Sequence, residues 1–215
     1  MDAQATVPEA VPGVAPGEAP AGAKFALERV VFFSDAVFAI AITLLVLEIE
    51  VPHLPHDAPP HRYWEALYEL VPSFLAFLLS FLVIGRFWLS HHQIFGRVKR
   101  FDVRLIWPNM LYLLSIGFMP FTTAFMAAGR NTFVPALCYN LNLLVAGLLV
   151  WLLMYRVEKL DLAAPSPDQG QTGSPSVVAA ALLSIALTFV IPALSQFGMV
   201  TIPLWRRLFR RRSAA

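Results

Sequence analysis

Five apolar segments, each near or above the length of a membrane-spanning helix, constrain the fold of this chain more than any other feature. A helix needs roughly 20 predominantly apolar residues to cross the hydrocarbon core of a bilayer. Hydrophobic residues make up 58% of the 215 residues and charged residues only 14%, which is far too apolar for an ordinary soluble protein. The sequence therefore predicts an all-α, polytopic membrane protein with apolar segments at about 30–50, 66–90, 103–127, 133–155 and 176–205.

The distribution of basic residues predicts how these segments are threaded. Cytoplasmic loops carry an excess of Lys and Arg, and basic residues cluster at 97–104 and at 206–212. If the N-terminus and both clusters are cytoplasmic, the chain crosses the membrane an even number of times. The last segment must then turn back once, and Pro192 and Gly198 offer the break, because proline removes a backbone donor and glycine permits a reversal. We expect six spans, the last two of them short.

The predicted organisation is one membrane domain with polar ends. Residues 1–23 are rich in Ala, Pro and Gly and contain no Lys or Arg, which is typical of a disordered cytoplasmic tail. Residues 163–175 have the composition of a flexible cytoplasmic linker, and residues 211–215 form a short C-terminal tail. The six-span domain at 24–210 is predicted to cross the membrane at about 30–50, 66–95, 103–127, 133–155, 176–192 and 196–209.

Two charged residues, Arg29 and Asp35, stand at the start of the first apolar segment. An ionisable residue costs roughly 2.5–3.5 kcal/mol at the middle of a spanning helix by insertion scales, and less near its end. Charges retained in such a place indicate a role. Two interpretations stay open from the residues alone: an ion pair that only locks helices together, or a functional group.

Further along the same segment, Ile40, Thr43, Leu44 and Leu47 share one stripe, because residues at i, i+3, i+4 and i+7 lie on one face of a helix. An aliphatic stripe is typical of ordinary helix packing, and a threonine commonly bonds to its own helix or to a neighbour. Periodicity alone leaves a pore lining as the less common alternative.

This segment also carries a resemblance to a known family. The residues that carry it are Arg29-x-x-x-Phe33-Ser34-Asp35, Trp88-x-x-His91-His92-x-x-Phe95, Asn109 and Pro120-Phe121-Thr122. The first of these motifs and the apolar run that follows it resemble the signature first helix of the transmembrane protein 175 family, the endosomal and lysosomal potassium channels and their prokaryotic relatives. One six-span unit per chain is similar to the prokaryotic members, which assemble as homotetramers.

The resemblance implies passive potassium transport through a cation channel. Its pore would lie on a fourfold axis and be lined by the first helix of each of four subunits. Ile40 would be the main hydrophobic constriction, with Thr43 as a hydroxyl ring and Leu44 and Leu47 as further apolar rings. Aliphatic rings can gate by dewetting, and a narrow bore favours the ion that sheds its water more easily. The sequence has no Thr-Val-Gly-Tyr-Gly filter, so we expect modest selectivity for potassium over sodium.

The resemblance also gives the charged motif a structural role. Because the second span runs antiparallel to the first, the end of the second span meets the start of the first. Buried polar groups must satisfy one another there. We expect a polar cluster that supports the pore helix, with one of two adjacent histidines facing it; its candidate members are Arg29, Ser34, Asp35, His91, His92 and Asn109.

Other functions find less support in the sequence. No nucleophile–base pair, phosphate loop or pair of catalytic carboxylates shares a context, so we expect neither an enzyme nor a bound cofactor. The proline-rich loop with His53, His56 and His61 is expected to be exposed and not a metal site. The expected partners are the lipid bilayer of a prokaryotic plasma membrane, three further copies of the chain, and potassium and other monovalent cations, but not nucleic acid. A secondary ion- or proton-coupled transporter is the alternative function.

Overall fold

The fold is described by a computed structural model, which covers residues 21–129, 132–163 and 175–213. Within those ranges the regular structure is helical, so the prediction of an all-α protein is confirmed. Three 3₁₀ segments are present, at Leu45–Glu48, Val103–Leu105 and Pro192–Thr201. The α-helices are α1 (Ala21–Leu44), α2 (Pro60–Glu69), α3 (Val71–Phe95), α4 (Ile106–Gly117), α5 (Met119–Ala128), α6 (Phe133–Lys159), α7 (Pro175–Val190) and α8 (Ile202–Ser213).

Among the described residues, four stretches are long and apolar enough to cross a membrane, at Phe25–Glu48, Val71–Phe95, Val103–Ala128 and Phe133–Lys159. They overlap the first four predicted spans, with bounds that differ by up to five residues. Helix α7 is apolar but has only 16 residues. The region predicted as the sixth span, 196–209, comprises the last six residues of the 3₁₀ segment Pro192–Thr201 and the first eight residues of α8, a helix with five arginines.

Parts of the predicted tails and of the predicted linker lie outside the described residues. These are 1–20 of the predicted tail, 164–174 of the predicted linker and the last two residues, 214–215. Helix α1 includes the last three residues of the predicted N-terminal tail, 21–23, and α8 continues to Ser213, inside the predicted C-terminal tail.

The third span is interrupted. Helix α4 ends at Gly117 and α5 begins at Met119, with Phe118 between them. Pro120 explains the interruption, because it has no N–H to donate to the carbonyl of Ile116 and its ring crowds the preceding turn. Phe118 still donates its backbone N–H to the Leu114 carbonyl at 3.1 Å, so the path of the chain stays close to helical across the break.

Helix α1 packs against α3 and α4 along one face only. The buried residues of this face are Ser34, Phe38, Ala41 and Leu45, spaced so that they repeat about every full turn. In its most apolar window only 22% of α1 is buried, against 33–50% in the three other candidate spans. The remaining surface of this very apolar helix is therefore free to face lipid or another protein.

The C-terminal helices are held to α6 by a buried amide. Asn140 on α6 donates from Nδ2 to Thr188 Oγ1 at 2.9 Å and to Ser195 Oγ at 3.0 Å. These bonds join α6 to both α7 and the 3₁₀ segment. Close by, Gly198 lies so near Ser184 that a Cβ at position 198 would be 3.0 Å from the Ser184 backbone nitrogen and Cα. The absence of a side chain at residue 198 lets the 3₁₀ segment approach α7.

We expect Gly198→Ala to destabilise the protein by about 1–3 kcal/mol, because the added methyl group meets backbone atoms that cannot move aside independently. Thermal unfolding of the detergent-solubilised protein, followed by loss of the monodisperse peak, measures the effect. Gly85→Ala on α3 is the matched control, since nothing lies within 4 Å of its Cβ position. Equal unfolding temperatures for the two variants would contradict the close packing at Gly198.

Candidate functional site

A buried amide joins the first helix to two others. Asn109 on α4 donates from Nδ2 to Ser34 Oγ on α1 at 3.0 Å, and its Oδ1 lies 2.9 Å from His91 Nε2 on α3. All three side chains are buried. Ser34 in turn donates to the Val30 carbonyl at 2.8 Å. We call Ser34, His91 and Asn109 the Asn109 cluster; it ties α1, α3 and α4 together at one level.

The geometry of the Asn109 cluster determines the tautomer of His91. Because the amide nitrogen of Asn109 points to Ser34, its oxygen must accept a hydrogen bond from His91 Nε2, which therefore carries a proton. The imidazole lies between the rings of Phe95, with centroids 4.4 Å apart, and Tyr112, at 6.0 Å. Its Nδ1 is buried and has no hydrogen-bond partner among the described residues. The ring is thus held by stacking as well as by one hydrogen bond.

A second polar link joins α1 to α3 beside the first. Trp88 donates its indole N–H to Asp35 Oδ1 at 2.9 Å. Both residues are half-buried. The Trp88 ring also packs against His92, with centroids 5.5 Å apart. The free-energy cost of burying a carboxylate is smaller when it accepts an indole N–H than when it has no partner, since hydrogen bonds to charged groups are among the stronger ones.

Three of the predicted members lie outside the Asn109 cluster. Asp35 accepts from Trp88 instead. Arg29 is exposed, with its guanidinium carbon 5.8 Å from the centre of the Phe25 ring. The described residues contain no ion pair between Arg29 and Asp35. Helix geometry explains this, because six residues correspond to 600°, which leaves the two side chains about 120° apart around α1. His92 is also exposed, since it lies about 100° around α3 from His91.

The face of α1 opposite the Asn109 cluster is apolar and exposed. We call Ile40, Thr43, Leu44 and Leu47 the Ile40 stripe. Ile40 is 58% exposed and Leu47 73%, and Thr43 is exposed as well. Thr43 directs its hydroxyl proton to its own helix, with the carbonyls of Ala39 and Ile40 both 2.9 Å from Oγ1. The stripe is therefore a row of aliphatic side chains interrupted by one hydroxyl oxygen.

Known proteins resemble this chain in sequence. Residues 29–120 match the family described as endosomal/lysosomal potassium channel TMEM175. A potassium channel of Streptomyces collinus is 36% identical over 196 residues, which cover 81% of this chain and 94% of that relative. The chain belongs to the TMEM175 family. The resemblance read from the motifs is thereby confirmed, and so is the prediction that the chain is not an enzyme.

Solved structures extend the TMEM175 likeness beyond the matched motif region. The crystal structure of a lysosomal potassium-selective channel TMEM175 homolog from Chamaesiphon minutus aligns with a TM-score of 0.71 at 32% identity. The alignment covers 85% of this chain and 97% of that one. A potassium channel of the same organism is 47% identical over 105 residues, about half of each chain. The architecture is therefore that of a TMEM175 subunit along most of the described chain.

Several buried polar side chains were not predicted from the sequence. The hydroxyl of Tyr112 donates to the Phe87 carbonyl at 3.0 Å, and its ring contacts His91. A second buried group links Thr123, Ser80 and Tyr139 by hydrogen bonds of 2.9 and 3.1 Å. The position of Tyr112, three residues after Asn109, was an available signal, because both then lie on one face of α4. Single buried hydroxyls in an apolar helix give no comparable signal.

We expect His91→Leu to lower the free energy of unfolding by about 1–3 kcal/mol, because it leaves the Asn109 oxygen without its donor in a buried site. His92→Leu is the matched control and should change that free energy by less than about 0.5 kcal/mol, as is usual for exposed positions. Unfolding by denaturing detergent in mixed micelles measures both. If the two variants were equally unstable, the assignment of His91 to the cluster would fail.

Proposed function

We propose that this protein is a potassium-permeable cation channel that lets potassium move passively down its gradient. The observation that carries the proposal is the Ile40 stripe, an exposed row along a spanning helix whose opposite face is fixed to its own subunit. Relatives that match most of the chain are described as potassium channels, which supports the same function here.

In the proposed assembly four copies of the chain surround one axis, and each presents its Ile40 stripe to that axis. Ile40 forms the narrowest ring, and Leu44 and Leu47 form further rings. An aliphatic constriction excludes water until an ion enters, so the barrier depends on the cost of stripping the ion's hydration shell. Potassium holds its water less tightly than sodium and crosses more readily. Four copies also cover the apolar surface that a single α1 leaves exposed.

Thr43 supplies the one oxygen on this path. Since its hydroxyl proton is directed to the carbonyls of Ala39 and Ile40, the lone pairs of Oγ1 remain available to a passing cation. Four such oxygens in a ring would partly replace the water that the ion loses beside Ile40. In this proposal Thr43 lowers the free-energy barrier to ion passage that Ile40 raises.

The Asn109 cluster acts in this proposal as a support and not as an ion site. Ser34 lies six residues before Ile40, about 9 Å along the helix axis. Fixing Ser34 to α4 and Asp35 to α3 prevents rotation of α1 about its own axis. That rotation would turn the Ile40 stripe away from the centre of the assembly.

Six crossings per subunit remain our proposal for the threading. The 16 residues of α7 span about 24 Å as an α-helix, and the ten residues of the following 3₁₀ segment span about 20 Å. These lengths support two short crossings that turn back near Pro192. Both termini would then be cytoplasmic, in the plasma membrane of a prokaryote, with the arginines of α8 at the inner surface.

A secondary transporter is the second candidate, because one observation favours it. The third span is discontinuous at Phe118, and transporters bind their substrates at broken helices near the membrane midplane. Flux through the purified protein in liposomes separates the two candidates. Fast passive flux that prefers potassium over sodium and over a large organic cation supports a channel. Saturable flux at carrier rates, coupled to a second ion or to protons, supports the transporter.

Ile40→Ala is expected to raise potassium flux about tenfold, which corresponds to a barrier lower by about 1.4 kcal/mol. The ratio of potassium to sodium permeability should fall towards one, because a wider ring strips less water from either ion. Leu82→Ala on α3 is the matched control, since Leu82 is 59% exposed and Ile40 58%. If Ile40→Ala changed neither the potassium flux nor the ratio of potassium to sodium permeability, the assignment of Ile40 as the constriction would be wrong.

Thr43→Val keeps the shape of the side chain and removes its oxygen. We expect potassium flux to fall about fivefold, equivalent to roughly 1 kcal/mol of lost stabilisation at the barrier. Thr43→Ser keeps the oxygen and should retain most of the flux. Single-channel or liposome recordings compare the two variants. A valine variant that conducts like the serine variant would remove Thr43 from the ion path.

A further inference from the structure

Helix α2 exposes an aromatic face that its own chain does not cover. None of its ten residues, all of them described, is buried. Trp64 is 72% exposed and Tyr68 79%, and Tyr63 and Leu67 are about half exposed. At 100° per residue these four side chains fall within a sector of about 140°. We call Tyr63, Trp64, Leu67 and Tyr68 the α2 face.

The opposite side of α2 is charged. Arg62 donates from Nη1 to Glu65 Oε2 at 3.2 Å, and Glu69 lies one turn beyond Glu65 on the same side. The helix is therefore amphipathic, with aromatic rings on one side and solvated charges on the other. Helices of this kind lie in the plane of a membrane surface when one face meets the boundary between headgroups and acyl chains.

The position of α2 in the chain places it at that surface. Only Leu70 separates α2 from α3, and Leu70 has helical φ and ψ angles of −80° and −11°. Helix α3 is a candidate span that starts at Val71, so α2 ends where the apolar span begins. The exposed apolar row also continues across the junction at helical spacing, through Val71, Phe74, Leu75 and Leu78.

Pro72, next to the junction, permits the required change of direction. It cannot donate to the carbonyl of Tyr68, and this missing bond is a common cause of a bend between two helical segments. If α2 bends towards the side on which the exposed row of α3 lies, the α2 face turns down onto the lipid. If α2 continued straight, the same rings would stand in water.

We propose that the α2 face docks on the phospholipid headgroups of the leaflet at which α3 begins. Trp and Tyr favour this level of a membrane, since each combines an apolar ring with a polar N–H or O–H group. A second copy of the chain is a poorer occupant. The α2 face has four side chains, far fewer than the roughly 20–30 residues that each partner contributes to a specific protein interface.

The charge of α2 further specifies the lipid. With Arg62 balanced by Glu65, and with Glu69 in addition, the helix carries no excess of positive charge. Its affinity for the membrane therefore comes from aromatic and apolar burial and not from attraction to anionic headgroups. Zwitterionic phosphatidylcholine should suffice as the docking surface.

Spin labels on the two sides of α2 test this proposal in the full-length protein. Tyr68→Cys and Glu65→Cys are each introduced with Cys138→Ser, which removes the single native cysteine, and the labelled proteins are reconstituted into phosphatidylcholine vesicles. The label at 68 should collide preferentially with apolar oxygen, and the label at 65 with a water-soluble nickel chelate. Their ratios of the two collision rates should differ about tenfold or more.

Two outcomes would overturn the docking proposal. If both labels collide mainly with the nickel chelate, both sides of α2 are exposed to water and the α2 face does not contact lipid. If the label at 68 is shielded from oxygen and nickel alike, another protein surface covers the α2 face. Trp64→Phe offers a check that needs no label, because the part of the tryptophan emission that this variant loses should be emission that brominated phosphatidylcholine quenches in the unmodified protein. These readouts do not depend on ion flux.

Discussion

The side-chain amide of Asn109 is the contact on which the arrangement of the first helix depends. Inside a bilayer a buried polar group has no water with which to form hydrogen bonds, so its partners must come from neighbouring helices. Asn109 has one donor and one acceptor engaged, on two different helices, and this fixes both the height and the rotation of α1 relative to α3 and α4. The direction in which the Ile40 stripe points follows from that rotation.

Hydrogen bonds between polar side chains of different helices recur at several places in the subunit. The bond between Trp88 and Asp35 joins α1 directly to α3, and the Ser80 and Tyr139 hydroxyls join α3 to α6. Asn140 then holds α7 and the 3₁₀ segment to α6. Because apolar packing alone gives little preference for one helix rotation over another among lipid tails, these few bonds select the observed packing.

Much of this arrangement could be predicted from the sequence. The first four spans follow from apolar length, and the exposure of Ile40, Thr43, Leu44 and Leu47 agrees with their common face. The side on which Arg29 points could also have been worked out, since its angular distance from Asp35 is simple helix geometry. The cluster was predicted from the charged motif and the resemblance, and neither reports the direction in which each side chain points.

Other features depend on tertiary contacts that a single sequence does not show. The sequence does not show whether His91 or His92 is the partner of Asn109. Only the packing of α3 against α4 selects His91. The interruption at Phe118 had a signal in Pro120, but a proline near the middle of a span is often accommodated within one helix. Hydropathy reveals neither the 3₁₀ winding of Pro192–Thr201 nor the close approach of Gly198 to α7.

The tighter winding at the end of the first helix has a geometric consequence for Leu44 and Leu47. From Leu45 to Glu48 the chain is a 3₁₀ helix, in which residues three apart are eclipsed, whereas in an α-helix they would diverge by about 60°. Leu47 is thereby brought nearly into line with Leu44, and the row straightens as it leaves the helix. The same four residues have the poorer hydrogen-bond geometry of 3₁₀ winding, so this end of α1 is where a change of helical pitch would meet the least resistance.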